Sequence, residues 1–270
     1  MRIQLVILLF LLPFITISQQ KFEWIEKEKY PIDSSDIWTT DVLGNTYITK
    51  KEVIHKYDSI GTLKFSQSQK SIGRLASIQP INTMKLVIFS EEQQEFCFLD
   101  NTLTPYGTCI DLIDQNIGNA TIVAVSSQPD KFWVYDQLNS RLHLLSLAET
   151  DQAQEIENLR GLLNSTQITF MVEQNNLLYL VDPSQGVYLL DMYGSLVDLI
   201  KKSEVKGIQV DLDNLYVLEK DQISIINLDT DVEIKVDCPF ENVLEFRKSR
   251  KNYYFRTETE IKKYQLLFNE

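Results

Sequence analysis

Six copies of one sequence unit follow one another along this chain, and this repetition constrains the fold more than any other feature. Each copy joins a β-rich run, a short polar turn and a second β-rich run. Equivalent positions in the six copies are Tyr47, Val87, Trp133, Tyr179, Tyr216 and Tyr254. Their separations of 40, 46, 46, 37 and 38 residues are typical of β-propeller blades. Helical repeats would show apolar residues at a 3.6-residue spacing instead.

Each repeat has room for four strands, as a propeller blade requires. A short apolar run before the central pair can form an innermost strand, at residues 37–40, 75–78, 121–125, 168–172, 208–210 and 243–246. In the first five repeats a further run follows the pair, for example 62–65 and 233–236, and can form an outermost strand. Residues 148–163 are interpreted as an acidic surface insertion that holds a helical turn.

The sixth repeat lacks an outermost strand, because only Asn269 and Glu270 follow its last apolar run. Residues 21–27 alternate apolar and polar side chains and belong to no repeat. We therefore predict that this N-terminal strand, through Phe22 and Trp24, closes the last blade and removes an exposed sheet edge. The predicted fold is an all-β, six-bladed β-propeller of four-stranded antiparallel blades. A two-sheet sandwich or an open β-meander is the alternative.

The first 18 residues predict a cleaved signal peptide. Arg2 is followed by an apolar run without charge and by the small residues Thr16 and Ser18. The run is about 15 residues long, shorter than the ~20 residues that span a bilayer, which disfavours the alternative of an uncleaved anchor. We expect one propeller domain over residues 19–270, located in the periplasm and without direct membrane insertion.

The charge of the chain limits its partners. With 38 acidic and 26 basic residues, the net charge is −12. Nucleic-acid binding would require a basic surface, so this balance argues against it. A partner that charge helps to recruit is expected to carry a basic patch.

Three cysteines leave two interpretations open. Cys97 and Cys109 fall on two runs that we interpret as paired strands of one blade, so an exported protein could join them in a disulfide. Buried free thiols are the alternative. Cys238 has no partner in either case, and the spacing contains no zinc or redox motif.

Residues 131–142, which read KFWVYDQLNSRL, resemble blades of NHL- and TolB-like six-bladed propellers. In those blades a valine, an aromatic residue and an aspartate precede a polar turn, a basic residue and an apolar run. The resemblance covers most of the chain as architecture, and the motif is sharp in two or three blades. Residues 18–20 and 58–60 resemble those of exported Bacteroidota proteins, which implies O-glycosylation at Ser59. A plain hairpin turn is the alternative there.

The sequence predicts no catalytic, cofactor-binding or metal-binding constellation. His55 and His143 lie on third strands of different blades, where we expect them to face solvent, away from the axis. Aspartates recur where strands run into turns, at Asp58, Asp100, Asp136, Asp182, Asp191 and Asp229. We interpret them as turn caps, and converging calcium ligands are the alternative.

These features favour a non-catalytic scaffold for protein–protein interaction. Its expected partner is a protein of a periplasmic or outer-membrane complex, and the resemblance to exported proteins suggests the type IX secretion translocon as one example. The alternatives are a glycan or small-molecule binder and a hydrolase or lyase that uses the axial face. A fold alone does not decide among them.

Overall fold

The computed structural model describes residues 21–147, 154–165 and 167–269, so the predicted signal peptide lies outside the described residues. The described strands form six four-stranded antiparallel sheets, each of which is one blade. This arrangement confirms the predicted six-bladed propeller. Within a blade we call the innermost strand A and the outermost strand D, and we number all strands in chain order.

The first three blades follow the chain from the propeller axis outward. Blade 1 contains β2 (Trp38–Thr40), β3 (Thr46–Lys50), β4 (Val53–Tyr57) and β5 (Leu63–Ser68). Blade 2 contains β6 (Ser77–Pro80), β7 (Lys85–Ser90), β8 (Glu95–Asp100) and β9 (Ile110–Asp111). Blade 3 contains β10 (Ala120–Val125), β11 (Lys131–Asp136), β12 (Arg141–Ser146) and β13 (Gln154–Ile156).

The next two blades repeat this order, and the sixth takes its outermost strand from the other end of the chain. Blade 4 contains β14 (Phe170–Gln174), β15 (Leu177–Asp182), β16 (Gly186–Asp191) and β17 (Leu196–Lys201). Blade 5 contains β18 (Val205–Asp211), β19 (Asn214–Glu219), β20 (Gln222–Asn227) and β21 (Glu233–Asp237). Blade 6 contains β22 (Glu245–Ser249), β23 (Asn252–Arg256), β24 (Glu260–Asn269) and β1 (Lys21–Pro31).

The N-terminal strand closes the ring as predicted. β1 pairs with β24 in antiparallel register, with Lys21 opposite Asn269. Trp24 meets the rings of Tyr253 and Phe255 edge-on, at centroid distances of 5.1 and 5.2 Å. Its indole N–H also donates to the backbone carbonyl of residue 237 at 2.8 Å, so β1 also contacts blade 5. Phe22 packs against the same apolar cluster.

Three innermost strands begin two residues later than predicted. β6, β14 and β22 start at residues 77, 170 and 245 because the apolar residues before them belong to the connections between blades. Val243 shows the reason: its side chain is buried, while its backbone N–H donates to Asp221 Oδ1 at 2.8 Å instead of joining the ladder. An apolar residue can therefore pack in the core without being part of a strand.

The segment over residues 148–163 was wrongly interpreted as only an insertion. Its described part contains the outermost strand of blade 3, β13, and a short helix, α1 (Leu159–Leu163). α1 buries Leu159 and Leu163 against blades 3 and 4, which explains the helical turn that the sequence predicted. The equivalent aromatic residues of the repeats, such as Trp133, Tyr179 and Tyr254, lie on strand B and are fully buried.

The antiparallel order of each blade separates its connections onto two faces. The A–B and C–D connections lie at one end of the sheet, and the B–C and D–A connections lie at the other. We call these the AB/CD face and the BC/DA face. Within the described residues, no helix is long and apolar enough to cross a membrane.

Candidate functional site

Turns on the AB/CD face share one hydrogen-bond pattern. Asp58 Oδ1 accepts from the backbone N–H of Ile60 at 3.1 Å and of Thr62 at 2.8 Å. The carboxylates of Asp41, Asp100 and Asp191 likewise accept from the N–H groups two and four residues later. A short acidic side chain at the first position therefore satisfies two backbone donors that the turn leaves free.

The fourth residue of these turns adopts a left-handed conformation. Gly44, Gly61 and Gly194 have φ values of 82°, 82° and 88°, which glycine adopts without steric cost. Leu103 takes the same place after Asp100 with φ of 70°. Its side chain is fully buried, and this burial offsets the roughly 1 kcal/mol that a left-handed non-glycine residue costs.

These contacts explain why most of the recurring aspartates cap turns. Backbone N–H donors lower the pKa of Asp58 and Asp191, and the Thr102 hydroxyl lowers the pKa of Asp100. In B–C turns, Asp136 accepts from the backbone N–H of Asn139, and Asp182 accepts from those of Ser184 and Gln185. The interpretation was wrong for Asp229, because Asn227 supplies the capping oxygen there and Asp229 contributes only its N–H.

The capped C–D turns also hold neighbouring blades together. The carbonyl of Ser59 accepts from Lys263 Nζ at 2.5 Å, and the carbonyl of Asn101 accepts from Lys56 Nζ at 2.8 Å. The carbonyl of Met192 accepts from the Gln154 amide at 2.6 Å. In each case the acceptor follows the capping aspartate, and the donor belongs to the preceding blade. Lys56 and Lys263 are buried, which the sequence analysis missed.

The same connections expose large apolar side chains. Among the described residues, eight such side chains lie in the A–B and C–D connections: Val42, Leu43, Ile60, Met84, Tyr106, Tyr193, Leu212 and Val232. The BC/DA face exposes Ile113, Leu138, Leu162 and Leu244. Leu43, Ile60 and Tyr193 each stand two residues after a capping aspartate. The turn therefore fixes the backbone while it directs an apolar side chain outward.

A groove with a mixed polar and aromatic lining lies beside these turns, between blades 2 and 3. It has a volume of about 570 Å³, and its lining includes Phe98, Tyr106, Ile110 and Phe132. Lys85 Nζ lies 5.4 Å from the centroid of the Tyr106 ring. Beside the groove, β9 contains only two residues and pairs with Glu95 and Phe96 of β8, while Tyr106 donates its backbone N–H to the Phe98 carbonyl at 3.1 Å.

The carboxylate of Glu173 lies at the AB/CD end of the central channel, and internal donors saturate it. Trp133 Nε1 donates to it at 2.6 Å and Ser126 Oγ at 2.7 Å. Ser127 adds its backbone N–H at 2.9 Å and its hydroxyl. These bonds tie blade 3 to blade 4, so Glu173 serves packing here. The sequence analysis placed Trp133 at one of the equivalent positions of the repeats and did not identify its carboxylate partner.

Both histidines lie on third strands as predicted, but the expectation that both face solvent was wrong. His143 is only 5% exposed, and its Nδ1 lies 3.5 Å from Glu155 Oε1. His55 is half-buried, with its Nδ1 2.8 Å from Ser66 Oγ. Desolvation lowers the pKa of each ring, and at His143 it outweighs the opposing effect of Glu155.

This burial predicts a pH dependence of stability. Because both pKa values are lowered in the folded state, the unfolded chain binds more protons, and the free energy of unfolding should decrease as the pH falls from about 7 to 5. Replacing both residues, as His55→Gln with His143→Gln, should remove this component. Urea unfolding at several pH values measures it. An equal decrease in the double variant would contradict the assignment.

The structure joins Cys97 and Cys109 in a disulfide with a Cα–Cα distance of 4.3 Å. Cys97 lies on β8, whereas Cys109 directly precedes β9, so the pair is not between two strands as we interpreted. Glu95 approaches the two sulfur atoms, but disulfide sulfurs are not the thiolates that bind metal ions. Cys238 stays a free thiol, and its burial raises its pKa to about 12.

Ser59, for which the resemblance implied O-glycosylation, lies at an exposed position of the blade 1 C–D turn. Its backbone carbonyl accepts from Lys263, so the turn around it is held in place. Its modification stays a prediction.

Comparison with known proteins shows the fold. No protein-family model matches the sequence, and no curated protein is similar to it. A streptogramin B lyase superposes with a TM-score of 0.65 at 14% identity, over 92% of this chain and 98% of the lyase. A catalytically inactive histidine-to-alanine variant of virginiamycin B lyase from Staphylococcus aureus, crystallised with quinupristin, gives 0.62 at 10% identity, over 92% and 100%.

A third match is PorZ of Porphyromonas gingivalis, described as an essential bacterial surface component of the type IX secretion system. It superposes with a TM-score of 0.53 at 11% identity, over 92% of this chain and 39% of PorZ. Identities this low establish similarity of fold. The chain is thus a six-bladed β-propeller that is structurally similar to NHL-like lyases and to part of PorZ.

Proposed function

We propose that this protein is a non-catalytic scaffold that binds a protein partner through its AB/CD face. The observation that carries the proposal is the set of large apolar side chains exposed on turns that aspartates hold rigid. Ile60 and Tyr193 are 73% and 87% exposed, although each follows a carboxylate that accepts from two backbone N–H groups of its turn. Rigid apolar anchors lose little conformational entropy on binding and are typical centres of protein interfaces.

The adjoining groove completes the proposed interface. Its aromatic lining offers a pocket for a partner's apolar side chain, and such pockets commonly contain the strongest contacts of an interface. The net charge of −12 favours a partner with basic residues around its apolar centre. Similarity to PorZ supports a place in an outer-membrane secretion or envelope complex, reached by export to the periplasm.

The lyase alternative rests on the matches to streptogramin-inactivating propellers. In virginiamycin B lyase, replacement of one histidine by alanine abolishes catalysis. The two histidines of this chain lie on β4 and β12, third strands that are separated from the axis by two others. The carboxylates of Asp41 and Glu173 near the channel are occupied by internal donors. This arrangement favours the scaffold over the lyase.

A pull-down from membranes extracted with mild detergent tests the proposal. The wild-type protein should co-purify with a stable partner, and the triple variant Leu43→Ser, Ile60→Ser, Tyr193→Ser should lose it. The matched control, Ile113→Ser with Leu138→Ser, removes exposed apolar side chains from the BC/DA face and should retain the partner. Recovery of the monomer alone, or equal recovery with the triple variant, would overturn the proposal.

A further inference from the structure

The central channel contains a guanidinium, that of Arg247, that forms no ion pair with a described residue, although the charge of Glu245 acts on it from a distance. Arg247 projects from β22 of blade 6 into a cavity of about 590 Å³. Its Cζ lies 5.5 Å from the Trp38 ring centroid and 5.6 Å from the Phe170 ring centroid. Trp38 belongs to the adjacent blade 1, but Phe170 belongs to blade 4. The side chain of Arg247 therefore reaches across the propeller axis.

The nearest carboxylate is engaged elsewhere. Glu245 Oε1 accepts from Arg256 Nη1 at 2.7 Å, and Glu245 Oε2 accepts from Trp38 Nε1 at 3.0 Å. Arg256 also donates to two backbone carbonyls in the connection before β2. Arg256 and Glu245 thus form a closed pair, and they leave Arg247 without an acidic partner of its own.

Most hydrogen-bonding capacity of Arg247 is unused. Its Nη1 donates to the backbone carbonyl of Phe246 at 2.9 Å. Within the described part of the chain, no acceptor forms a hydrogen bond with Nε or Nη2, and neither atom is among the fully buried unpaired ones, so both are accessible from the channel. These two groups lie on the same edge of the guanidinium and point in parallel. That edge is the fork that binds the two oxygens of a carboxylate.

The acidic groups at the other end of the channel do not compensate this charge. Glu173 is saturated by Trp133 and two serines. Asp41 accepts from two backbone N–H groups of its own turn and from the Tyr47 hydroxyl. Both carboxylates are therefore held in place by local donors and cannot reach the guanidinium.

The channel wall suits a molecule with an apolar body. Ile122 and Val172 contribute partly exposed apolar side chains to the lining, and Gln79 and Gln209 add amide groups. The two rings beside Arg247 provide flat apolar surfaces next to the charge. Aromatic rings on both sides of a guanidinium also hold it in one orientation.

We propose that the central channel binds a small organic carboxylate, whose oxygens accept from Nε and Nη2 of Arg247 between Trp38 and Phe170. The Arg247 guanidinium favours a carboxylate, and the rings beside it favour an apolar or aromatic body. The ligand must also be small enough for the channel. The Arg247 site lies inside the channel, and the lining of the channel includes Asp41 and Val42 of the blade 1 A–B turn.

Benzoate is a suitable probe, with benzamide as its neutral analogue of the same shape. Isothermal titration calorimetry on the wild-type protein should give a Kd for benzoate on the order of 1 mM, as expected for a ligand of this size, and binding of benzamide at least about tenfold weaker. Benzoate should also change the fluorescence of Trp38. Equal affinity for both compounds, or no heat at about 20 mM benzoate, would overturn the proposal.

Variants locate the site. Arg247→Met keeps an unbranched side chain between the rings and should weaken benzoate binding at least about tenfold. Arg250→Met removes the same charge from an exposed turn of the same blade and should bind as the wild type does. Arg247→Lys retains the charge without the fork and should bind with reduced affinity. If Arg247→Met bound benzoate as tightly as the wild type, Arg247 would not be the carboxylate-binding residue, and the proposal would be wrong.

Discussion

Removal of residues 21–31 is expected to abolish cooperative folding of the entire propeller. Without β1, the outer edge of β24 loses its partner along ten residues, and the rings of Tyr253 and Phe255 lose Trp24. Replacing Trp24 alone by alanine should cost about 3 kcal/mol, a large share of the 5–15 kcal/mol that stabilises a typical domain. Circular dichroism during heating measures the loss.

A circular permutant provides the matched control. Lys21 pairs with Asn269, so the two ends of β1 and β24 meet on the AB/CD face. A chain that runs from 32 to 269, continues through a copy of the turn at residues 58–62, and ends with residues 21–31 should regain cooperative unfolding. If the truncated protein unfolds at the wild-type temperature, or the permutant remains unfolded, closure by the N-terminal strand is wrong.

Lys263→Met is expected to be the most destabilising replacement of a lysine. Lys263 is 4% exposed, donates to the Ser59 carbonyl at 2.5 Å and lies 2.8 Å from Glu28 Oε2. Its loss leaves a partly buried carboxylate and a turn carbonyl without their cation at the junction of blades 6 and 1. We expect a decrease of about 3 kcal/mol in the free energy of unfolding.

Lys29→Met is the control for this replacement. Lys29 pairs with Glu26 on the surface of β1, with its side chain 49% exposed, so its loss should change stability by less than about 0.5 kcal/mol. Urea unfolding of both variants compares a buried with an exposed lysine of the same blade. A cost below about 1 kcal/mol for Lys263→Met would show that the turn does not depend on this contact.

The architecture could be predicted because its signals repeat along the sequence. A buried strand B is an almost continuous apolar run, so Trp133 and Tyr179 could be placed at equivalent positions from spacing alone. The closure was predictable because one missing strand and one spare strand occur in the same chain. The starts of β6, β14 and β22 were less certain, because apolar residues such as Val243 pack in the core before the ladder begins.

The candidate sites were harder to predict because they depend on contacts between blades. Lys56, Lys263 and Arg247 are charged, and charged residues are usually exposed, so nothing local marks the first two as buried or the third as lining the channel. Arg247 meets Trp38 and Phe170, which lie far away in the chain. A usable signal was present for the turns: the pattern Asp-x-x-Gly recurs at Asp41, Asp58 and Asp191 with an apolar third residue.

Photo-crosslinking tests the proposed scaffold function most directly. Tyr193 and Leu138 are 87% and 77% exposed and lie on opposite faces, so a photoreactive phenylalanine analogue can replace either with little effect on folding. In cells that produce the protein, irradiation should give a discrete adduct of higher mass from position 193 and none from position 138. Monomer alone from both positions, or the same adduct from both, would contradict binding through the AB/CD face.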